Sequence, residues 1–316
     1  MTGRHADDAR VRTIFIGSGG FGVESLRRLA SHDDVDLVGV VTGPPRPAGR
    51  KEDVKRTPIH DVTDELGIVP ILTPERLRTP ESIAEVLALE PELIVLTDFG
   101  QIVPTELLRP THGALNLHPS LLPRHRGATP IPAAILSGDA ETGVTLMRMD
   151  EGVDTGPLVA QERVALDGTE TAPALEARLE GVAADLLQAH LGPWIAGALE
   201  ARPQDERGAT LTRPLTRADG RLDPTRSAVE LERQVRAYQP WPASFVDTPV
   251  GRIVVWSASV SAGGTNAGSF DELGLGTGHG RLALHDVQPA GGKRMPWDAF
   301  VRGHPTIVGS RVLPGP

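Results

Sequence analysis

The sequence predicts an α/β chain: a parallel sheet covered by helices on both faces, followed by a small all-β barrel. Three observations lead there. Short β-branched runs alternate with helical patterns over the first two-thirds of the chain. The last third turns to short strands separated by Gly-rich turns. The length, 316 residues, is enough for two domains.

Residues 11–16 (VRTIFI) are a β-branched run that stops at Gly17, the pattern of a buried strand. Residues 21–30 follow with helical spacing, Val23, Leu26 and Leu29 sharing a face. Residues 36–42 (DLVGVVT) and 93–97 (LIVLT) read as further strands, with helical patterns such as 81–89 between them. Leu175, Leu179, Val182 and Leu186 mark a longer amphipathic helix that closes this domain. Residues 201–213 (ARPQDERGATLTR) are polar and lack periodicity, which suits a linker. After a helix at 227–238, strands at 253–256 and 281–287 flank a GGTNAG turn. The expected organisation is therefore a first domain at 10–198, a linker at 199–217 and a second domain at 218–316.

Composition narrows the function classes. No run approaches the roughly 18 consecutive apolar residues of a membrane span, and the first ten residues (MTGRHADDAR) lack the apolar core of a signal peptide. The absence of cysteine removes disulfides, thiolate metal sites and cysteine nucleophiles. The expectation is a soluble cytoplasmic protein, acting as a monomer. The net charge of −9 is unevenly spread: residues 1–217 hold 22 Arg and Lys against 32 Asp and Glu, while residues 218–316 hold 10 against 9. Two of the three lysines, Lys51 and Lys55, fall in one short loop.

The turn G17-S-G-G-F-G22 has the G-x-G-x-x-G spacing of a dinucleotide site, between a strand and a helix. Such a site also wants Asp or Glu at the end of the second strand, to hold ribose hydroxyls. Here that strand ends Val40-Val41-Thr42-Gly43, and the nearest acid, Asp36, precedes it. A tight structural turn fits better, and a nicotinamide dehydrogenase is the minor alternative.

The chemistry is concentrated in residues 113–161. Asn116 and His118 stand two apart, on one side of a strand. Asp154 follows in a Gly-flanked turn after another strand at 143–149. An amide, an imidazole and a carboxylate at neighbouring strand ends suit acyl transfer, where an oxyanion needs a donor and an amine must lose a proton. A hydrolytic site, or a merely structural histidine, remains open on spacing alone. His112, His118 and His125 lie six and seven apart across proline-rich loops, which is not a usual metal pattern. Ser120 lacks a G-x-S-x-G setting, so it is not a nucleophile.

The same stretch resembles the folate-dependent formyltransferases, and within them those that act on methionyl initiator tRNA. The resemblance rests on Asn116-Leu-His118 (N-x-H), on residues 120–131 (SLLPRHRGATPI) and on residues 150–156 (DEGVDTG). Outside it, residues 46–50 (RPAGR), 239–242 (QPWP) and 284–292 (LHDVQPAGG) match family segments in order, so nearly the whole chain is covered. The resemblance implies a Rossmann-like formyltransferase domain and an OB-like barrel that binds tRNA. It implies 10-formyltetrahydrofolate as formyl donor, no metal, and initiator Met-tRNA as the acceptor, in support of translation initiation. Carried onto this chain, Asn116, His118 and Asp154 would be catalytic: His118, held protonated by Asp154, would donate to the formyl oxygen with the Asn116 amide sharing that load, and Asp154 would relay the amine proton through water. Ser120, Leu121, Leu122 and Pro123 would line the folate pocket, and Asp98, Phe99 and Gly100 another wall. Arg46, Arg50, Lys51, Lys55 and Arg56, with Glu52 and Asp53 among them, would contact tRNA as a loop of net charge +3.

Three positions depart from the family pattern: His125 stands where Trp is common, and Asp98-Phe99 where a small residue and Tyr are common. Sugar-nucleotide N-formyltransferases and formyltetrahydrofolate hydrolases share the N-x-H and Asp site, and the C-terminal third separates them from the tRNA reading. A catalytically inactive folate- or RNA-binding relative is the remaining alternative, opposed by intact Asn116, His118 and Asp154.

Overall fold

The structure, a computed structural model, describes residues 10–48, 53–264 and 266–314. The chain runs β1 (Val11–Gly17), α1 (Val23–Ala30), β2 (Val35–Val41), β3 (Arg46–Ala48), β4 (Asp53–Lys55), α2 (Pro58–Leu66), β5 (Ile71–Leu72), α3 (Pro80–Leu87), β6 (Leu93–Thr97) and β7 (Ala114–His118). It continues through β8 (Arg126–Gly127), α4 (Pro130–Ser137), β9 (Glu141–Arg148), β10 (Leu158–Ala165), α5 (Ala172–Ile195) and β11 (Leu211–Thr212). Last come α6 (Ala228–Ala237), β12 (Ser244–Thr248), β13 (Gly251–Ser261), β14 (Gly274–Gly276), β15 (Arg281–Pro289), β16 (Met295–Pro296) and α7 (Trp297–Gly303). Two compact units result: residues up to 128 with 142–165 and 176–212, and residues 129–141 and 166–175 with 213 onward.

The first unit is built on a seven-stranded sheet of order β10-β9-β7-β6-β1-β2-β5. Strands β7, β6, β1, β2 and β5 are parallel, and β9 runs antiparallel to β7. The interior strands are apolar on both faces: Ile14, Phe15 and Ile16 on β1, and Leu93, Ile94 and Val95 on β6, are all inaccessible. Ile14, Ile16, Ile94, Leu96 and Ala114 belong to one cluster that Leu77, Val86 and Leu107 complete. Register pairs Ile94 with Ala114 and Leu96 with Asn116. Asn116 and, two residues on, His118 therefore continue an apolar row, at the carboxyl end of the sheet. Strand β1 has β2 on one side and β6 on the other, so the strand order reverses there, where open α/β sheets bind ligands.

Thr57 and Thr79 accept hydrogen bonds from His60 N and Ser82 N and so cap α2 and α3, each with Pro at the first turn. The helix read from Leu175, Leu179 and Leu186 is α5, longer than that spacing required. Segment 199–217, expected as a linker, is structured over 204–212: Gln204 is buried, and β11 pairs in parallel with β8. Gln204 alone turns inward, while Asp205, Glu206, Arg207 and Thr210 stay exposed, Glu206 and Thr210 still reaching Arg126 and the His125 N–H.

In the second unit, β12-β13-β15-β14 form an antiparallel sheet with β16 added on β15. The Gly-punctuated strands anticipated this sheet. They did not anticipate α7, so the unit is not all-β: Trp297 and Phe300 of α7 join Phe270 and Leu282 in its core. Phe300 stacks between Trp297, with centroids 5.5 Å apart, and His304, at 4.4 Å. Trp-Asp-Ala-Phe is too short a stretch to show a helical period, which is why α7 escaped detection. Helix α6 is capped by Ser227, whose hydroxyl and N–H exchange bonds with Glu230 in a capping box, holding that carboxyl at a pKa of about 2. Phe300→Ala should lower stability by about 3–5 kcal/mol, read from denaturant unfolding. A loss under about 1 kcal/mol, the scale of surface changes, would place α7 outside the core.

Candidate active site

Three of the residues singled out in the sequence meet at the carboxyl edge of the sheet. Asn116 and His118 leave β7 on one face, and both are buried. Asp154 reaches them from the turn after β9: its Oδ1 accepts from Asn116 Nδ2 at 3.3 Å, and its Oδ2 lies 3.6 Å from His118 Nδ1. Oδ2 also accepts from the backbone N–H of Gly127 at 2.7 Å. Asp154 holds this position with φ at +52°, a conformation L-residues avoid. Asp98 (φ +44°) and His125 (φ +57°) are left-handed as well, so three of the five such non-glycine residues among those described belong to the loops around this corner.

The His118 ring is fixed from both sides. Nε2 sits 3.0 Å from the carbonyl oxygen of His125. Both ring nitrogens face groups that only accept, but the 3.0 Å contact has hydrogen-bond length and the 3.6 Å one does not, so the hydrogen of the neutral ring is assigned to Nε2 and Nδ1 is left bare toward Asp154. Burial lowers the His118 pKa below its ordinary value, against the opposing pull of the Asp154 carboxylate and the His125 carbonyl. At neutral pH the ring is thus uncharged, not held protonated by Asp154 as the resemblance implied, because desolvation outweighs the pull of the carboxylate that its basic nitrogen faces.

The loop from 119 to 127 is anchored along its length. Ser120 Oγ donates to Arg124 O at 2.6 Å. Thr145, the cross-strand partner of His118 on β9, donates to Ser120 O and accepts from Leu122 N. Ser120 and Leu122 are buried, Leu121 and Pro123 half-buried. The two buried side chains thus shape the loop, and a ligand would meet its backbone and the half-buried pair. Asp98 and Gly100 are exposed, while Phe99 is half-buried against the apolar cluster of the sheet.

Sequence reasoning missed several partners. Arg126, buried, donates from Nε and Nη2 to Gln204 Oε1 at 3.1 and 2.7 Å and forms a bidentate pair with Glu206 at 3.0 and 2.7 Å. That pairing holds Glu206 below the usual carboxylate range. Thr210 Oγ1 accepts from His125 N at 2.8 Å. Gly127, at φ +102°, lies so close to β11 that a Cβ would fall 2.4 Å from Thr212 O. Arg126 stood inside a recognised motif, but Gln204, Glu206 and Thr210 lay in aperiodic polar sequence with no local signal.

The Gly17 to Gly22 turn is not set up for phosphate. Glu180, from α5, accepts the Glu24 N–H at 3.2 Å, so the N-terminus of α1 already receives a protein carboxylate. The Asp98 carboxylate occupies the space a Cβ on Gly19 would need. Although Asp98 as a residue is exposed, its carboxylate is packed against Gly19, and this local desolvation raises its pKa; desolvation does the same for Glu176 and Glu180, and for Glu176 the neighbouring acids add to it. A pyrophosphate would meet like charge here.

Of the basic loop, Arg46 and Lys55 are opposed across the β3–β4 hairpin and exposed. Arg46 pairs with Glu75 at 3.0 Å, and Arg56 with Asp64. Arg50 and Lys51 lie outside the described residues. No helix among the described residues is long and apolar enough to cross a membrane, and none of them form a metal-binding group of three or more His, Asp or Glu.

An open sheet with an amide, an imidazole and a carboxylate at its carboxyl edge brings together the groups that acyl-group transfer uses. The family description "Formyl transferase" matches residues 10–191, and "Formyl transferase, C-terminal domain" matches residues 214–305. The chain belongs to the formyl transferase family. It is 40% identical over 310 residues to the methionyl-tRNA formyltransferase of Myxococcus xanthus, covering 96% of this chain and 98% of that one. To the enzyme of the same name from Roseiflexus sp. it is 41% identical, covering 96% and 95%. Among solved structures, an N-formyltransferase from Helicobacter canadensis, in complex with folinic acid and dTDP-3-aminofucose, shares the fold. Its TM-score is 0.62 at 19% identity, over 87% of this chain and 99% of that one. HypX from Aquifex aeolicus, in complex with tetrahydrofolic acid, gives 0.61 at 17%, over 93% and 47%.

Replacing Asp154 by Asn removes the charge that opposes desolvation, so the His118 pKa should fall further. A ring-nitrogen NMR titration of His118 measures this, and an unchanged or higher value would mean the two side chains are not coupled.

Proposed function

We propose that this chain transfers a formyl group from 10-formyltetrahydrofolate to the α-amine of methionine carried on initiator tRNA. The observation that carries the reading is the Asn116–His118–Asp154 cluster, in a chain similar over its whole length to methionyl-tRNA formyltransferases. The residues present fit a reduced folate. The 97–100 turn offers exposed backbone, with open space beside Gly100, and the half-buried Leu121 and Pro123 offer an apolar edge, as a flat ring with a hydrogen-bonding rim requires. When bound, the folate supplies the activated formyl carbon.

The chain's own groups account for the rest. Asn116 has a second amide N–H beyond the one facing Asp154, and it donates to the formyl oxygen as negative charge develops there. His118, neutral with Nδ1 bare, accepts the proton that the attacking amine must lose. The Asp154 carboxylate at 3.6 Å and the His125 carbonyl at 3.0 Å stabilise the resulting imidazolium. The same proton then returns to the departing folate nitrogen as its bond to the formyl carbon breaks, so charge and atoms balance. Because burial lowers the His118 pKa, activity should fall on the acid side only below the ordinary histidine range.

The acceptor is assigned to the second unit and the β3–β4 hairpin. Several arginines of the second unit are already paired, Arg221 with Asp247, Arg236 with Glu232 and Arg294 with Asp286, so its free positive charge is small. In the basic loop Arg46 and Arg56 are paired as well, so the attraction there is assigned to the exposed Lys55 together with Arg50 and Lys51. The reaction belongs in the cytoplasm, where charged initiator tRNA is found, and the enzyme acts there as a monomer.

Formyl transfer to charged initiator Met-tRNA, measured beside His118→Ala, tests the reading. Wild type should formylate, and the variant should lose about 10²–10³ in rate. Transfer to a nucleotide-linked amino sugar instead, or hydrolysis of the folate alone, would overturn the acceptor. Neutralising Arg46, Arg50, Lys51, Lys55 and Arg56 should weaken tRNA binding and flatten its salt dependence, by about 0.7–0.9 in log–log slope for each phosphate no longer neutralised. An unchanged slope would remove the loop from the interface.

A further inference from the structure

Gln204 is a buried polar residue that the mechanism above does not use. Both ends of its amide are engaged. Nε2 donates to the carbonyl oxygens of Asp154 at 2.8 Å and Gly156 at 2.7 Å, while Oε1 accepts twice from the Arg126 guanidinium. Arg126 is held in turn by Glu206. A single side chain thus grips the two carbonyls on either side of Thr155. The first belongs to the residue whose carboxylate meets His118, Asn116 and the Gly127 amide.

We propose that Gln204 is a positioning residue for formyl transfer: it holds the Asp154 turn in its left-handed conformation and so sets the Asp154 carboxylate against His118. The inference rests on the reading of Asp154 and His118 as the catalytic pair. The physical case is one of competing preferences. At φ +52° Asp154 is in a region its Cβ disfavours, and only surrounding contacts keep it there. Its carboxylate has three contacts, but the 3.3 Å and 3.6 Å ones are long and supply little restraint. The bonds to the peptide oxygens are short, and without Gln204 those carbonyls would lose their only side-chain donor among the described residues. The turn would then relax toward negative φ and carry the carboxylate away from the ring. Arg126 and Glu206 make the grip rigid, because the bidentate ion pair fixes the direction from which Arg126 meets Oε1.

Two substitutions separate positioning from bulk. Gln204→Glu keeps both acceptor contacts to Arg126 but cannot donate to either carbonyl. Gln204→Met keeps the volume and loses every polar interaction. Misplacement of a catalytic group by about 1 Å costs up to 10²-fold. For Gln204→Glu the expectation is a folded protein with kcat lowered about 10- to 100-fold and KM for both substrates within about twofold. The His118 pKa, read by ring-nitrogen NMR, should move downward, in the direction of the Asp154→Asn variant, and Gln204→Met should move it the same way. Wild-type kcat and an unmoved His118 pKa in either folded variant, even with a lower melting temperature, would make Gln204 merely structural and overturn the inference. If the wild-type protein transfers no formyl group, the functional reading fails by itself, and the His118 titration still decides whether Gln204 positions Asp154.

Discussion

A carboxylate and an imidazole share a nearly dry corner at the carboxyl edge of the sheet, and the surrounding structure is arranged to keep them there. Burying His118 disfavours its charged form, and the Asp154 carboxylate beside it disfavours staying neutral. The balance leaves a base that is free at neutral pH yet stabilised once it accepts a proton. Neither residue would have this property alone: a buried histidine without the carboxylate is a weak base, and a buried carboxylate without donors is costly. Asn116 and the Gly127 amide donate to the carboxylate and the His125 carbonyl accepts from the ring, while Nδ1 stays bare to take up a proton.

The framework explains the arrangement. Strand β9 returns antiparallel beside β7, placing Thr145 opposite His118 and delivering the turn that carries Asp154. Thr145 ties down the start of the loop, through Ser120 and Leu122, and Thr210 ties down its end, through His125. A loop fixed at both ends holds a left-handed His125 whose carbonyl assigns the tautomer of His118. The side chain at 125 departs from the family's Trp, but the structure uses the backbone of this residue at the ring, so the departure leaves that hydrogen bond intact.

The Gly-rich turn shows how one motif serves two ends. Its spacing fits a dinucleotide fold, yet in this chain Glu180 meets the first turn of α1 and Asp98 packs on Gly19. A Cβ at position 19 would meet the Asp98 carboxylate, which would have to swing aside to admit it. The deciding residues, Asp98 and Glu180, lie far away in sequence, beyond the reach of any local motif.

Much of the fold was legible because periodicity reports burial: β1, β2, β6, α1 and α5 each carry the apolar spacing that their place in the sheet or over it demands. The site was partly legible, since Asn116 and His118 stand on one strand and Asp154 sits in a recognisable turn. Segment 204–212 and α7 were not legible. Gln204, Glu206 and Thr210 act through hydrogen bonds across some 50 to 85 positions, and such bonds leave no periodic trace. The sequence by itself determined which chemical groups were present and which elements would carry them, because both follow from residue identity and local spacing. Only the tertiary structure decided which nitrogen of His118 is bare, what occupies the Gly-rich turn and what holds Asp154 in a left-handed turn, because each depends on distances between groups that the chain brings together from far apart.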